Sequence, residues 1–201
     1  MLAVLALVYA LNVRAGDPRL ENTFGFFTNL TSLLSGSVFL ACGWIALSGR
    51  HAPSWLTTAR AVATSCLIVV AVVYNGLVPG TGTAPPWVSV LLHAVFPAYA
   101  VLDWILVADR PRLPWRGIWW VLPYPLLWLA ATLIRGITSG WVPYGFLMPE
   151  RGPLAITLTS IGLLAALLSA AALVWWASRL QTGRATAPGS PRTQPQPREV
   201  Q

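Results

Sequence analysis

The segment from Trp87 to Val107 limits the possible folds most, because it is a long apolar run that nevertheless contains a histidine, a proline and an aspartate. About 20 apolar residues are enough to cross a bilayer as a helix. An ionisable side chain is unfavourable in hydrocarbon and therefore turns towards protein. On a helix, His93, Pro97 and Asp103 lie near one face. The sequence predicts that this face packs against other helices.

The composition is that of an integral membrane protein. Hydrophobic residues make up 56% of the chain and charged residues only 9%, whereas a soluble domain has about 25% charged residues. Apolar segments recur along the chain, and short polar connections separate them. The sequence predicts six helices, near residues 1–13, 24–48, 55–78, 87–107, 117–137 and 154–178.

These segments predict an all-α fold over residues 1–180, a polytopic bundle of six transmembrane helices. Pro123 and Pro125 are expected to kink the fifth helix, which neighbouring helices tolerate inside a membrane. Residues 181–201 are rich in proline, glutamine, threonine and arginine and are expected to form a disordered cytoplasmic tail. We expect a multi-pass protein of the cell membrane, and the sequence leaves its oligomeric state open.

The distribution of arginine predicts the orientation. All thirteen basic residues are arginine, and most lie between the apolar segments. The loops after the second and fourth helices share one side with the tail. The arginines of that side are Arg50, Arg110, Arg112, Arg116, Arg179 and Arg184. The positive-inside rule therefore places both termini in the cytoplasm.

The net charge of +7 belongs largely to these connections, so the expected partners are membrane lipids and not nucleic acid. The chain has no CxxC, HExxH or GxSxG motif and no Walker or Rossmann glycine pattern. We therefore expect neither a cofactor nor a metal ion.

This orientation predicts a layer of polar side chains near the outer face. The residues of the layer are Thr28, Asn75, His93 and Arg135, one on each of four helices. At 1.5 Å per residue all of them fall within about 10 Å of the outer boundary. Asp103 lies about 15 Å further along the axis than His93, too far to orient the imidazole. We expect Asp103 to be structural and to meet a loop arginine or a tyrosine at the inner side.

Each residue of this layer also has a purely structural interpretation. A threonine in a transmembrane helix often bonds to its own i−4 carbonyl, and a histidine or asparagine often ties two helices together. An arginine near a helix end often extends its side chain to the lipid headgroups. The sequence leaves these alternatives open.

Five pieces of the chain, in this order, resemble one known family. They are FFTNLTSLL (26–34), YNGL (74–77), LLHAVFPAYAVLDWIL (91–106), YPLLWLAATLIRG (124–136) and GWVPYGFL (140–147). Together they look like the bacterial six-helix relatives of the androgen-induced and androgen-dependent membrane proteins. The resemblance covers about residues 24–147. It has two departures, because Ser32 stands where the bacterial pattern has asparagine and Met148 where it has aspartate.

The resemblance implies an activity and two catalytic residues. In the animal members, a membrane-embedded threonine and histidine hydrolyse fatty acid esters of hydroxy fatty acids, and their motif positions match Thr28 and His93. A threonine hydroxyl is a weak nucleophile that needs a base within hydrogen-bond reach, and neutral histidine is such a base. We therefore expect the Thr28 hydroxyl within about 4 Å of a His93 ring nitrogen.

The other polar residues are expected to line the pocket. We expect Asn75 or Arg135 to stabilise an oxyanion, with both within about 8 Å of the catalytic pair. The further predicted pocket residues are Thr31, Ser32 and Tyr124. The sequence thus favours a threonine/histidine hydrolase of lipid esters, with its site near the outer leaflet. A non-catalytic membrane scaffold or a small-molecule transporter is the alternative, and the sequence does not name the substrate.

Overall fold

The computed structural model describes residues 1–80, 84–107 and 111–180, and within them the chain forms helices and turns but no strand. The helices are α1 (Leu2–Arg14), α2 (Leu20–Phe24), α3 (Phe27–Leu47), α4 (Ser54–Leu77), α5 (Pro86–Leu106), α6 (Pro123–Ser139) and α7 (Gly152–Ala177). Short 3-10 helices are formed by Trp115–Val121, Gly145–Leu147 and Pro149–Arg151. The all-α prediction is confirmed. The predicted tail, together with Arg110 and Arg184, lies outside the described residues.

Five helical segments have the length and apolar composition of membrane-spanning helices. They are Phe27–Leu47, Ser54–Leu77, Pro86–Leu106, Trp115–Ser139 and Pro149–Ala177. The 13 residues of α1 are also apolar, but they reach only about 20 Å against about 30 Å of hydrocarbon. These features are those of a multi-pass integral membrane protein.

The core of the bundle lies around α4, which packs against α3, α5 and α7. On α7, Ala170 and Ala171 are buried, and small residues at such positions let helix backbones approach closely. The buried indole of Trp104 donates from Nε1 to the Val174 carbonyl at 2.9 Å. Because lipid is as apolar as these side chains, close packing and internal hydrogen bonds hold such helices together.

The predicted inward face of α5 is confirmed. Pro97, Ala100 and Trp104 are buried, whereas Ala98 and Tyr99 between them are exposed. The helical period of 3.6 residues places the buried positions on one side. This face orients the whole helix and so decides where its polar residues point.

Asp103 forms an ion pair with Arg60 near the start of α4. Arg60 donates from Nε and from Nη2 to the same carboxylate oxygen, each at 2.7 Å, and Arg60 is only 5% exposed. The expectation of a loop arginine or a tyrosine as partner was therefore wrong. Arg60 lies inside an apolar segment and was not among the expected partners. The antiparallel packing of α4 and α5 brings the start of one helix to the end of the other.

The second predicted helix begins at Phe27 and not near Phe24, because the chain breaks between α2 and α3. Phe26 at the break has an extended backbone, with φ −69° and ψ 127°. A Cβ atom on Gly25 would lie 2.5 Å from the Glu21 carbonyl oxygen and 2.8 Å from Cη2 of Trp141, so only glycine fits at this position. The break leaves the first turn of α3, which carries Thr28, beside the loop between α6 and α7.

The two prolines of the fifth predicted helix change its type instead of simply bending it. Residues Trp115–Val121 form a 3-10 segment, and the α-helix starts at Pro123. Pro125 falls in the same first turn. The amide hydrogens of a first helical turn have no partner within the helix, so proline loses nothing there.

Candidate functional site

The Thr28 hydroxyl lies 3.3 Å from Nε2 of His93. Thr28 is the second residue of α3 and is 8% exposed, and His93 lies in the N-terminal half of α5. The two residues are 65 positions apart in sequence. The predicted proximity of the threonine and histidine is confirmed.

His93 sits in a π-helical turn, Leu91–Val95, inside α5. The amide of Phe96 donates to the Leu91 carbonyl, an i−5 bond. Four residues after His93 comes Pro97, which has no amide hydrogen to donate to the His93 carbonyl. The Asn75 side chain donates to that carbonyl instead, at 3.2 Å. Single π turns inside α-helices are frequent at functional sites.

Asn75 bonds to the backbone of the histidine. Its amide nitrogen donates to the Ala71 carbonyl at 2.8 Å and to the His93 carbonyl, so both of its hydrogens are used. Asn75 is also exposed at the periphery of the bundle. The expected closeness to the pair is confirmed, but these contacts do not support an oxyanion role.

The hydrogen bonds of His93 select its tautomer. Nδ1 lies 2.8 Å from the Ser89 carbonyl oxygen, which can only accept a hydrogen bond. Nδ1 therefore carries the proton, and the lone pair of Nε2 points to the Thr28 hydroxyl. The Ser89 carbonyl holds the imidazole in the place that a carboxylate takes in a Ser-His-Asp triad. The histidine is thus prepared as a proton acceptor.

Tyr74 fixes the plane of the imidazole. The two rings are stacked, with centroids 3.4 Å apart and an interplanar angle of 11°. The Tyr74 hydroxyl accepts hydrogen bonds from the Ser89 hydroxyl at 2.6 Å and from the Gly80 amide at 3.1 Å. These contacts join the end of α4 to the start of α5 and limit rotation of His93.

Tyr144, in the loop between α6 and α7, reaches the backbone of the candidate nucleophile. The Thr28 amide donates to the Tyr144 hydroxyl oxygen at 3.4 Å. Burial raises the pKa of the Tyr144 phenol, and the Thr28 side chain beside it opposes that rise. Tyr144 was not among the predicted pocket residues. Residues 116 positions apart carry no shared local signal, so the sequence gives no sign of this contact.

A cavity of about 370 Å³ opens on the other side of Thr28. It lies among α3, α4, α6 and α7 and is lined mainly by aliphatic side chains, including Val69, Leu129 and Leu164. The polar residues along it are Thr28, Tyr74, Tyr144, Thr157 and Ser160. Its lining includes Thr28 but not His93. The threonine thus lies between the His93 imidazole and an apolar space.

Arg135 makes its contacts with α2 and with the loop after α6. Its guanidinium donates from Nη1 to the Glu21 carbonyl at 2.9 Å and from Nη2 to the Asn22 side chain. It also stacks over the Trp141 ring at 3.9 Å. These contacts tie α6 to α2 and do not support an oxyanion role. Arg135 borders a second cavity of about 500 Å³, together with Tyr124.

Thr31 and Ser32 lie one turn after Thr28 on α3, and Tyr124 of α6 contacts Thr31. The Thr31 hydroxyl is 2.8 Å from that of Tyr124, whose ring stacks on Phe27 with centroids 5.4 Å apart. Ser32 is fully buried, and its hydroxyl has no hydrogen-bond partner among the described residues. Thr31 and Tyr124 clamp α3 to α6 and thereby hold the first turn of α3 in place.

No group of three or more histidine, cysteine, aspartate or glutamate side chains suited to a metal ion occurs in the described part of the chain. Comparisons with protein-family models, with curated proteins and with solved structures find no match.

Proposed function

We propose that the protein is an integral membrane hydrolase of lipid esters, with Thr28 as nucleophile and His93 as general base. The observation that carries the proposal is the 3.3 Å contact between the Thr28 hydroxyl and Nε2 of His93, whose Nδ1 lies 2.8 Å from the Ser89 carbonyl oxygen. The resemblance of five sequence pieces to the androgen-induced and androgen-dependent membrane proteins supports it. The apolar cavity beside Thr28 suits the acyl chain of a fatty acid ester.

The proposed reaction has two half-reactions. Thr28 Oγ1 attacks the ester carbonyl while His93 Nε2 takes its proton. The tetrahedral intermediate then expels the alcohol, which leaves with that proton, and an acyl-threonine remains. Water, deprotonated by the same nitrogen, attacks the acyl group. The fatty acid leaves, and Thr28 regains its hydroxyl hydrogen from His93.

We place the site near the outer leaflet, in a bundle of six helices with both termini in the cytoplasm. The support is the charge distribution. The arginine of the loop after α3 lies at the end of the bundle opposite Thr28, and so do the arginines next to the C-terminal end of α7. Asn75 and Arg60 lie 15 positions apart on α4, about 22 Å along its axis. A site close to the headgroups admits an ester laterally from the bilayer.

Small-molecule transport is the second candidate, favoured by a row of buried hydroxyls along α3 and α4. Its members are Thr28, Thr31, Ser32, Ser35, Thr64 and Ser65. Thr64 and Ser65, however, donate to carbonyls of their own helix four residues earlier. Such back-bonded small residues serve close helix packing, so this row supports transport less than the catalytic contact supports hydrolysis.

The test is turnover by the purified protein in nanodiscs, offered a panel of lipid esters that differ in acyl length and alcohol. We expect Thr28→Ala and His93→Ala to lower kcat at least about 10³-fold. Thr58→Ala and His51→Ala are matched controls, since Thr58 bonds to its own helix at an exposed site and His51 lies in an exposed loop. Wild-type protein inactive on every ester, or variants as active as wild type, would refute the hydrolase.

A further inference from the structure

We propose that Tyr144 is a catalytic residue, the hydrogen-bond donor that stabilises the oxyanion formed when Thr28 attacks an ester. This inference rests on the proposed hydrolase function. It replaces the two donors expected from the sequence, Asn75 and Arg135, with a residue from the loop between α6 and α7.

The reaction requires a donor near Thr28. Negative charge develops on the carbonyl oxygen in the tetrahedral intermediate, and preorganised donors at that position are often the largest single contribution to catalysis. Asn75 has both amide hydrogens on main-chain carbonyls. Arg135 is held by Glu21, Asn22 and Trp141. Another group must meet the oxyanion.

The Tyr144 hydroxyl lies next to the proposed nucleophile. Its oxygen accepts the Thr28 amide at 3.4 Å and lies beside the Thr28 side chain. A phenol has two acceptor lone pairs and one hydrogen to donate, so accepting the amide leaves its own O–H available. The carbonyl oxygen of a bound ester is separated from Thr28 Oγ1 by a single carbon once the bond forms. A donor adjacent to Thr28 can therefore reach it.

Tyr144 also borders the cavity where the ester would lie. Thr28 and Tyr144 both line the 370 Å³ space, and His93 does not. The base therefore approaches Thr28 from one side, while the phenol and the acyl chain share the other. His93 can therefore accept the proton of Thr28 while Tyr144 donates to the oxyanion.

The ring of Tyr144 is held rigidly, as an oxyanion donor must be. It stacks on Phe146 with centroids 5.2 Å apart and meets Phe26 and Trp128 edge-on at 5.8 and 6.0 Å. An apolar aromatic surrounding lowers the local dielectric, which strengthens a hydrogen bond to a developing negative charge. The O–H is thus positioned before the substrate arrives.

The decisive variant is Tyr144→Phe, which removes the O–H and keeps the aromatic ring. We expect kcat to fall about 10²-fold with KM within about twofold of wild type, because the bond forms only in the transition state. Tyr99→Phe is the matched control, since this exposed tyrosine lies on α5 away from the cavity, and it should retain wild-type kcat. Rates are normalised to sites titrated with a fluorophosphonate.

A second measurement is independent of turnover. An alkyl trifluoromethyl ketone forms a hemiketal anion on the nucleophile and mimics the intermediate. Tyr144→Phe should weaken this inhibitor by a factor similar to the loss in kcat, while binding of the free fatty acid stays within about twofold. A purely structural role for Tyr144 would weaken both ligands together.

The outcomes separate the two proposals. Wild-type kcat in Tyr144→Phe, combined with an inactive Thr28→Ala, overturns the oxyanion role and leaves the hydrolase intact. Equal weakening of inhibitor and fatty acid overturns it as well. A wild-type protein that turns over no ester removes the hydrolase, and the role of Tyr144 with it.

Discussion

The side chain of Asn75 donates a hydrogen bond to the main-chain carbonyl of His93, 3.2 Å away. In an uninterrupted helix that carbonyl would accept from the amide of residue 97, which is a proline and has none. Asn75 thus supplies from α4 the donor that α5 lacks. The His93 carbonyl therefore keeps a hydrogen-bond donor although α5 has a π turn and a proline at this point.

This arrangement predicts an energetic coupling between Asn75 and Pro97. Asn75→Leu removes the donor and should lower the free energy of unfolding by about 1 kcal/mol, with a loss of kcat as His93 becomes less well positioned. In a Pro97→Ala background, the new amide hydrogen supplies a donor close to the same carbonyl, so the loss should shrink. Thermal unfolding of the four proteins in nanodiscs measures the coupling, and an equal loss in both backgrounds would contradict it.

The ion pair of Arg60 and Asp103 is expected to stabilise the fold without serving catalysis. Asp103→Asn removes the carboxylate from a buried guanidinium and should lower the free energy of unfolding by about 3–5 kcal/mol. The double variant Arg60→Met/Asp103→Leu should recover most of this loss, because neither charge is then buried.

The yield of folded protein and the ester turnover per folded molecule, measured on the same preparations, distinguish structure from catalysis. Yield should fall in Asp103→Asn while turnover per folded molecule stays at the wild-type value. A selective loss of turnover with normal yield would show that Asp103 takes part in the reaction.

The break between α2 and α3 predicts a sharp difference between two glycines. Gly25→Ala places a methyl group 2.5 Å from the Glu21 carbonyl oxygen and 2.8 Å from the Trp141 ring, and these contacts should displace the first turn of α3 and lower both thermal stability and kcat. Gly43 lies further along, within α3, and a Cβ atom there would have no neighbouring atom within 4 Å. Gly43→Ala should therefore be neutral or stabilise the helix by up to about 1 kcal/mol. Similar effects at the two sites would mean that the close contacts at Gly25 do not constrain the break.

The proposed orientation predicts the sides of two positions. A reporter fused after Gly80, between α4 and α5, should score outside the cell, and one fused after Gln181 should score in the cytoplasm. Between the two lie three proposed spans, so opposite scores are required. The same score at both positions would contradict the six-span topology.

Residue spacing along single helices was enough to identify the helical segments and the inward face of α5. Hydrocarbon thickness dictates how long an apolar segment must be, and the cost of burying an ionisable group dictates which face turns inward. The contact of Thr28 with His93 was also expected before the structure, from the family resemblance together with the similar depth of two polar residues on neighbouring helices.

The groups that surround this pair became apparent only from the packing of whole helices and loops. The Tyr144 hydroxyl meets Thr28 from 116 positions away, and Arg60 meets Asp103 from 43 positions away. The periodicity of one helix specifies depth and face, but not which neighbouring helix or loop a side chain touches. It was also impossible to predict that Asn75 and Arg135 donate to main-chain carbonyls, because hydrogen-bond partners depend on the relative placement of the helices.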